Sequence, residues 1–220
     1  MNTSFTKRTG GVSHGAFASL NLGDHVGDAA EDVARNRKIL AERVGPTQFM
    51  NQVHGNRIAL IEEVTDEAPT ADALVTGIPG ISLAVMVADC IPLLLQSKES
   101  VAAVHVGRKG LMNGVAVHAI DLMRDMGATG ITAVMGPSIC GRCYEVSEDV
   151  YNEVVALHPI AAARTPKETL SLDLPGALSA VLTNLGIKVE LSAECTVENS
   201  DYFSYRRDGI TGRQVGVISL

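Results

Sequence analysis

The chain has 220 residues, 46% of them hydrophobic and 20% charged, which suits one sizeable core or two small fused ones and excludes a disordered polyelectrolyte. Aromatic residues are only 4% and Trp is absent, so the core must be built from Ala, Val, Leu and Ile with Met filling gaps. A formal net charge of −7 argues against nucleic acid as the partner, since phosphate neutralisation needs a basic face, but permits a small anion held by a few converging cations.

The opening, MNTSFTKRTGG, carries two positive charges with no apolar run behind them, so no secretory signal is expected. Residues 10–27 are rich in Gly, Ser, Asn and His and read as loop or edge structure over a core. A helix follows, with Asp28 placed to cap it, Val33, Ile39, Leu40 and Val44 in helical period, and Gly45-Pro46 to end it. Residues 48–53 and 57–61 are strand-like and flank a His54-Gly55-Asn56 corner, the pattern of a hairpin.

ISLAVMVADC (81–90) is a nearly continuous apolar run and predicts a buried strand ending on Asp89-Cys90; VAAVHVG (101–107) predicts a second, ending at His105. The most apolar stretch, 78–95, is broken by Pro79, Gly80, Asp89 and Pro92, so no membrane span is expected and a soluble cytoplasmic protein is the reading. Residues 111–126 predict one helix with Leu111, Val115, Ala119, Leu122 and Met126 on a face. A strand is expected at 131–136, helices at 147–157 (Ser147 as N-cap) and 175–185, and strands at 187–191 and 214–218.

Strands and helices alternate without a strict βαβ rhythm. The expected fold class is therefore a single α+β (mixed α/β) domain over residues 1–220, with no dinucleotide fingerprint and no P-loop.

Four cysteines are too few for a disulfide scaffold, so free thiols or metal ligands are expected. His54 lies in a turn, and Cys90 and His105 stand at the ends of apolar strands, where polar side chains cost free energy without partners. One thiolate and two imidazoles suit zinc, with copper also possible, and three protein ligands leave a fourth position open for catalysis. The spacing is not a compact metal signature, and three unrelated residues remain the plainer reading by spacing alone. Without a metal, Cys90 as nucleophile and His105 as base would make a thiol hydrolase or amidase. A metal-dependent binding protein is disfavoured, because structural zinc is normally closed by four protein ligands.

Cys140-x-x-Cys143 is a possible redox or metal pair, against which two packed or surface thiols is the plainer reading; Cys195 is expected to be buried. His118 and His158 read as helix and surface residues, and His25 as a loop residue or a contributor to a site. Arg37, Lys109, Arg206 and Arg207 are candidate holders of a small anion, each weighed against an ordinary surface charge. Asp89, beside Cys90, either orients a metal-bound His as part of the catalytic group or caps a strand end.

The segments GVSHGAFASLNLGDHVGD (11–28), Asn36-Arg37, NQVHGNRI (51–58), ADALVTGIPGISLAVMVADCIPLLL (71–95), VAAVHVGRKGL (101–111), MGPSICGRCYEV (135–146) and CTVENSDYFSYRRDGITGR (195–213) occur in this order. Together they resemble the bacterial laccase-domain family, once described as multicopper polyphenol oxidases and more recently as purine nucleoside phosphorylases. The sequence does not choose between a monomer and a homodimer; the resemblance implies metal ligands at His54, Cys90 and His105 and layered mixed sheets flanked by helices. It also implies a purine nucleoside (adenosine, inosine or methylthioadenosine) and phosphate as substrates, with adenosine deamination as a second activity. Amide hydrolysis on cell-wall precursors is a further activity within the family. The H-x-E with P-C-x-x-C signature of zinc deaminases is absent, and six His cannot furnish a multicopper oxidase. One departure stands out: the family's usual Trp-Arg after the His-x-Gly is Arg108-Lys109 here.

Overall fold

The computed structural model describes residues 2–220. In chain order, β1 (Asn2–Phe5) precedes the long opening loop, then come α1 (Ala30–Val44), β2 (Thr47–Gln48), β3 (Ile58–Leu60), β4 (Ala73–Thr76), β5 (Ser82–Val87), β6 (Ile91–Gln96) and β7 (Val101–Val106). The second half contains α2 (Arg108–Met112), α3 (Val115–Asp125), β8 (Thr132–Met135), α4 (Glu148–Leu157), β9 (Ala162–Arg164), β10 (Leu170–Leu172), α5 (Leu174–Asn184), β11 (Lys188–Leu191), α6 (Tyr205–Asp208) and β12 (Gln214–Ser219).

Apolar alternation sorts these strands into layers. A six-stranded mixed sheet runs β11-β8-β6-β7-β4-β3, a four-stranded one runs β1-β12-β5-β2, and β9–β10 form a small antiparallel ribbon. Because strand side chains alternate faces, Leu83, Val85 and Val87 of β5 meet Leu74, Leu94 and Ala103 between the two sheets. Ala84 and Met86 point the other way, with Val215 and Val217 of β12, onto Leu40 of α1 and the loop residues Leu20 and Leu22. The outer face of the large sheet (Ala73, Val75, Leu93, Leu95, Val104) is covered by Val115, Ala119 and Met123 of α3 and Ala177, Leu178 and Leu182 of α5. The result is the expected α+β domain, layered helix–sheet–sheet–helix.

Two expectations are corrected. The segments around His54 are not a hairpin: β2 pairs with β5 in the small sheet and β3 with β4 in the large one, both parallel. The chain therefore crosses between sheets at His54, as it does again between β5 and β6 at Asp89-Cys90. The helix expected at 111–126 is two helices, broken at Asn113-Gly114, where Gly114 adopts φ 73°. Local polarity explains a smaller difference at α1. Asp28 spends its carboxylate on Ser13 Oγ, Asn21 Nδ2 and the amide of Ala29, so Ala29 takes the N-cap position without a side-chain bond. Ser147 does occupy the N-cap of α4, also without a side-chain bond.

The opening loop is tied down by buried Asn36. Its Nδ2 donates to Ser13 Oγ and to the carbonyls of Ser19 and Asn21, and its Oδ1 accepts from the amide of Val12. Every polar atom of this amide is thus engaged, as a buried side chain requires. No helix of the described residues is long and apolar enough to cross a membrane.

Candidate metal centre

His105 lies on β7, and period-two alternation puts it on the same face as Val101 and Ala103, towards the space between the sheets. Cys90 is the last residue of the β5–β6 crossover, and His54 sits on the β2–β3 crossover with φ 58°. Asp89 has φ 95°, so both crossovers hold a non-glycine residue in the left-handed region. These bends bring the three side chains together. Cys90 Sγ stands 3.9 Å from His54 Nε2, the two imidazoles meet edge to face with centroids 4.6 Å apart, and the three donor atoms lie within 4.8 Å of one another. Gly107 closes the cluster from below: a Cβ there would stand 2.9 Å from Cys90 Sγ and 3.3 Å from His54 Cδ2.

The carboxylate that organises the centre is Asp72, fully buried just before β4. Its Oδ1 accepts from His105 Nδ1 at 2.8 Å and from the amide of His54 at 2.9 Å. Its Oδ2 accepts from the amides of Gly55 and Val53 at 2.6 and 3.2 Å. An ionised carboxylate only accepts, so His105 carries its proton on Nδ1 and turns Nε2 towards Cys90. One side chain thus fixes both the tautomer of one histidine and the backbone turn that presents the other. The sequence reading missed it; the available signal was an acid standing alone in the apolar run ADALV. Burial opposes the ionisation of Asp72, but the bonds from His105 and the turn amides outweigh it and hold its carboxyl below the usual value.

Electrostatics follow from this geometry. Burial resists ionisation of Cys90, yet the charge on His105 and hydrogen bonds from His105 and His54 pull the thiol down to about 6. Burial likewise disfavours a charged His105, and Cys90 and Asp72 overcome it, raising the imidazole to about 9. Without an ion, the centre is a thiolate–imidazolium pair. Tetrahedral zinc with bonds of about 2.0–2.3 Å would place its ligand atoms roughly 3.3–3.8 Å apart, so these three donors need only small shifts to close on one ion. The set of one thiolate and two imidazoles suits zinc and copper alike.

The centre opens into a cleft of about 420 Å³, walled by Met86, Val87, Ile139, Tyr144 and Tyr205 and bordered by His25, Arg206 and Arg213. Among the predicted cations, Arg206 is here: its guanidinium stacks 5.0 Å over Tyr144 and donates to the carbonyls of Cys143 and Glu145. Arg213, which sequence reasoning passed over, is pinned by Nη1 to the carbonyls of Thr211 and Gly212. Arg207 lies behind this wall, where it holds a loop through the carbonyls of Thr196, Val197, Asn199 and Tyr202 and pairs with Asp208. Arg37 is not in the cleft lining; it stacks on Phe49, pairs with Asp24 at 3.1 Å and reaches the back of the wall at Met86 Sδ, 3.7 Å away. Lys109 is exposed on α2 outside the lining, and Arg108 pairs with Glu153 at 3.0 Å. Asp89 borders the cleft but touches neither histidine; its oxygens accept from Thr196 Oγ1 at 2.7 Å and the amide of Arg206 at 2.6 Å. His118 is exposed on α3 and His158 follows α4, both away from the centre.

A family model described as multi-copper polyphenol oxidoreductase laccase matches residues 2–220. The chain belongs to this family. Within it, a purine nucleoside phosphorylase of Corynebacterium glutamicum is 43% identical over 98% of this chain and 93% of its own. A purine nucleoside phosphorylase of Streptomyces coelicolor is also 43% identical, over 98% of this chain and 94% of its own. The crystal structure of Neisseria meningitidis protein NMB0706 superposes with a TM-score of 0.91 at 38% identity, covering 99% of this chain and 93% of that one. Family membership therefore spans the whole fold, sheet crossovers included.

Proposed function

We propose that this chain is a metal-dependent purine nucleoside phosphorylase acting on adenosine, inosine or methylthioadenosine, with His54, Cys90 and His105 holding zinc. The observation that carries the reading is a three-donor centre, one ligand short of a closed site, at the floor of a cleft whose rim bears Arg206 and Arg213. The names of the relatives at 43% identity supply the reaction class.

Zinc bound there would supply a Lewis acid beside the purine or its leaving nitrogen. The chain's own residues do the rest. Apolar Met86, Val87 and Ile139 with Tyr144 and Tyr205 form walls suited to a flat base. Arg206 and Arg213 are the cations we assign to phosphate, which must approach the ribose as an anion and be held in line with the departing purine. Arg213 suits this role because its Nε and Nη2 have no hydrogen-bond partner among the described residues. Burial first, and Arg213 next, lower the pKa of His25, so its ring is neutral near pH 7 and can exchange a hydrogen bond with substrate. Arg37 and Arg207 keep the loops beneath the site in place, and Asp89 ties Arg206 to the crossover that carries Cys90.

The test is chromatography of adenosine incubated with zinc-loaded protein, with and without phosphate. Adenine and ribose 1-phosphate are expected only when phosphate is present. Inosine as product would replace phosphorolysis with deamination, and an unchanged nucleoside would refute both.

The thiolate–imidazolium pair favours a second reading, a Cys90 hydrolase or amidase working without metal on a substrate such as a cell-wall precursor. Such an enzyme keeps its activity in chelator and loses it on alkylation. The metal enzyme loses activity to chelator and regains it with zinc.

A further inference from the structure

Away from this centre, the other three cysteines meet. Cys140 and Cys143 lie on the turn after β8, and Cys195 lies on the segment that follows β11. A parallel bridge joins Ser138 to Cys195, and the amide of Thr196 donates to the carbonyl of Ser138 at 3.1 Å, so the two segments run side by side. The amide of Cys140 donates to Cys195 Sγ at 3.4 Å, and Cys143 Sγ donates to Glu198 Oε1 at 3.7 Å. All four donors, three sulfurs and one carboxylate oxygen, lie within 4.8 Å of one another. Thiolates around a tetrahedral ion with bonds of about 2.3 Å stand roughly 3.8 Å apart, so the cluster is already near the size that a closed site requires.

We propose that Cys140, Cys143, Cys195 and Glu198 form a second metal site, a closed structural one for a thiophilic divalent cation of the zinc class. Three soft ligands and one carboxylate complete a four-ligand set from protein alone, in contrast to the open set at His54, Cys90 and His105. Sequence spacing shows only the Cys-x-x-Cys half; the fold supplies Cys195 and Glu198 from more than fifty residues away. The negative charge of the ligands faces two cations. Arg142 pairs with Glu198 at 3.1 Å, and Arg207 donates to the carbonyls of Thr196 and Val197. Cys195 is buried, Cys140 and Cys143 are half-buried and Glu198 is exposed, so an ion enters from the Glu198 side.

The site has a consequence for the cleft. Cys143 receives Arg206 Nη1 on its carbonyl, and Thr196, next to Cys195, donates to Asp89. An ion joining the two loops braces the wall on which Arg206 stands.

The experiment uses the full chain, stripped with chelator, reloaded with excess zinc in reducing anaerobic buffer, desalted, and assayed for metal and protein. Two equivalents per chain are expected in the wild type, and one in each of Cys143→Ser, Glu198→Gln and Cys90→Ala. Because Cys195 is buried and its substitution risks the fold, a second readout uses cobalt(II) in the Cys90→Ala background. Intense thiolate-to-cobalt charge-transfer absorption is expected there and should vanish when Cys143→Ser is added. A single equivalent in the wild type, a stoichiometry unmoved by Cys143→Ser, or no thiolate band in Cys90→Ala would each overturn the proposal.

Discussion

Gly107 has no side chain, and the centre depends on that. Because a Cβ would press on Cys90 Sγ at 2.9 Å and on the His54 ring at 3.3 Å, Gly107→Ala should separate the donors while the β7–α2 junction stays folded. Metal titration should show a lower affinity at this centre with an unchanged circular dichroism spectrum; unchanged affinity would mean the ring and thiol give way freely. Asp72→Asn tests the organiser. An amide cannot accept from His105, His54, Gly55 and Val53 together, so metal affinity should fall by about 10–100-fold, the usual cost of losing a ligand's supporting partner. It should also alter the acid limb of stability. The carboxyl of Asp72 titrates below its ordinary value of 3.8 in the folded chain, so its contribution is complete above that value and is lost as pH falls through the depressed one. Acid denaturation should therefore be less steep in Asp72→Asn. In metal-free protein, alkylation of Cys90 should follow an apparent pKa of about 6 and be blocked by zinc; a midpoint near that of a free thiol would remove the thiolate pair. At this scale the sequence displayed His54, Cys90 and His105 through their motifs, but not Asp72 or Arg213. An acid at a strand start and an arginine in a turn look ordinary until the fold shows which amides and which cleft they face.

Among the elements, the long apolar strands and the capped or glycine-ended helices were legible because their signals are local. α1 ends at Gly45 as its sequence suggests, whereas the cap of α5, Asp173 accepting from the amide of Gly176, was not among the expected ones. What was not legible was pairing. β2 and β3 look like two arms of a hairpin because they are close in sequence, yet each gains more by joining a buried strand of a different sheet. The helix break at Gly114 was also hidden, since an apolar period can continue across one left-handed residue. It offers a clean test. A Cβ on Gly114 would meet nothing within 4 Å, so Gly114→Ala should cost only the left-handed backbone strain, about 1–2 kcal/mol in denaturant unfolding. Metal stoichiometry should stay the same, and a larger loss would point to packing between α2 and α3 that this geometry does not contain.

For the whole molecule, the contrast between a net charge of −7 and a cleft bordered by Arg206 and Arg213 predicts selective recruitment of a small anion. Arg213→Gln should raise the phosphate KM with a smaller effect on the nucleoside KM; equal effects on both would move Arg213 out of the phosphate role. Binding energy at the centre should also appear as stability. Free zinc at about a hundred times its dissociation constant adds roughly 2.7 kcal/mol to a fold that binds it only when native, so chelation should lower the melting temperature, and His54→Ala should lose the share of that response that belongs to this centre.

Two of the places where the chain changes sheet, β2 to β3 and β5 to β6, carry His54 and Cys90, whereas His105 stays within the large sheet. An ion shared among them is a rivet through both layers, set at one end of the sandwich. Removing it should loosen the molecule unevenly. Amide exchange should quicken around Val87 and its β12 partner Gln214, beside the rivet, while Leu83 and Ile218, farther along the same strands, keep their protection. The fold would then fray from the cleft inward, with the far edge of the sandwich acting as its hinge.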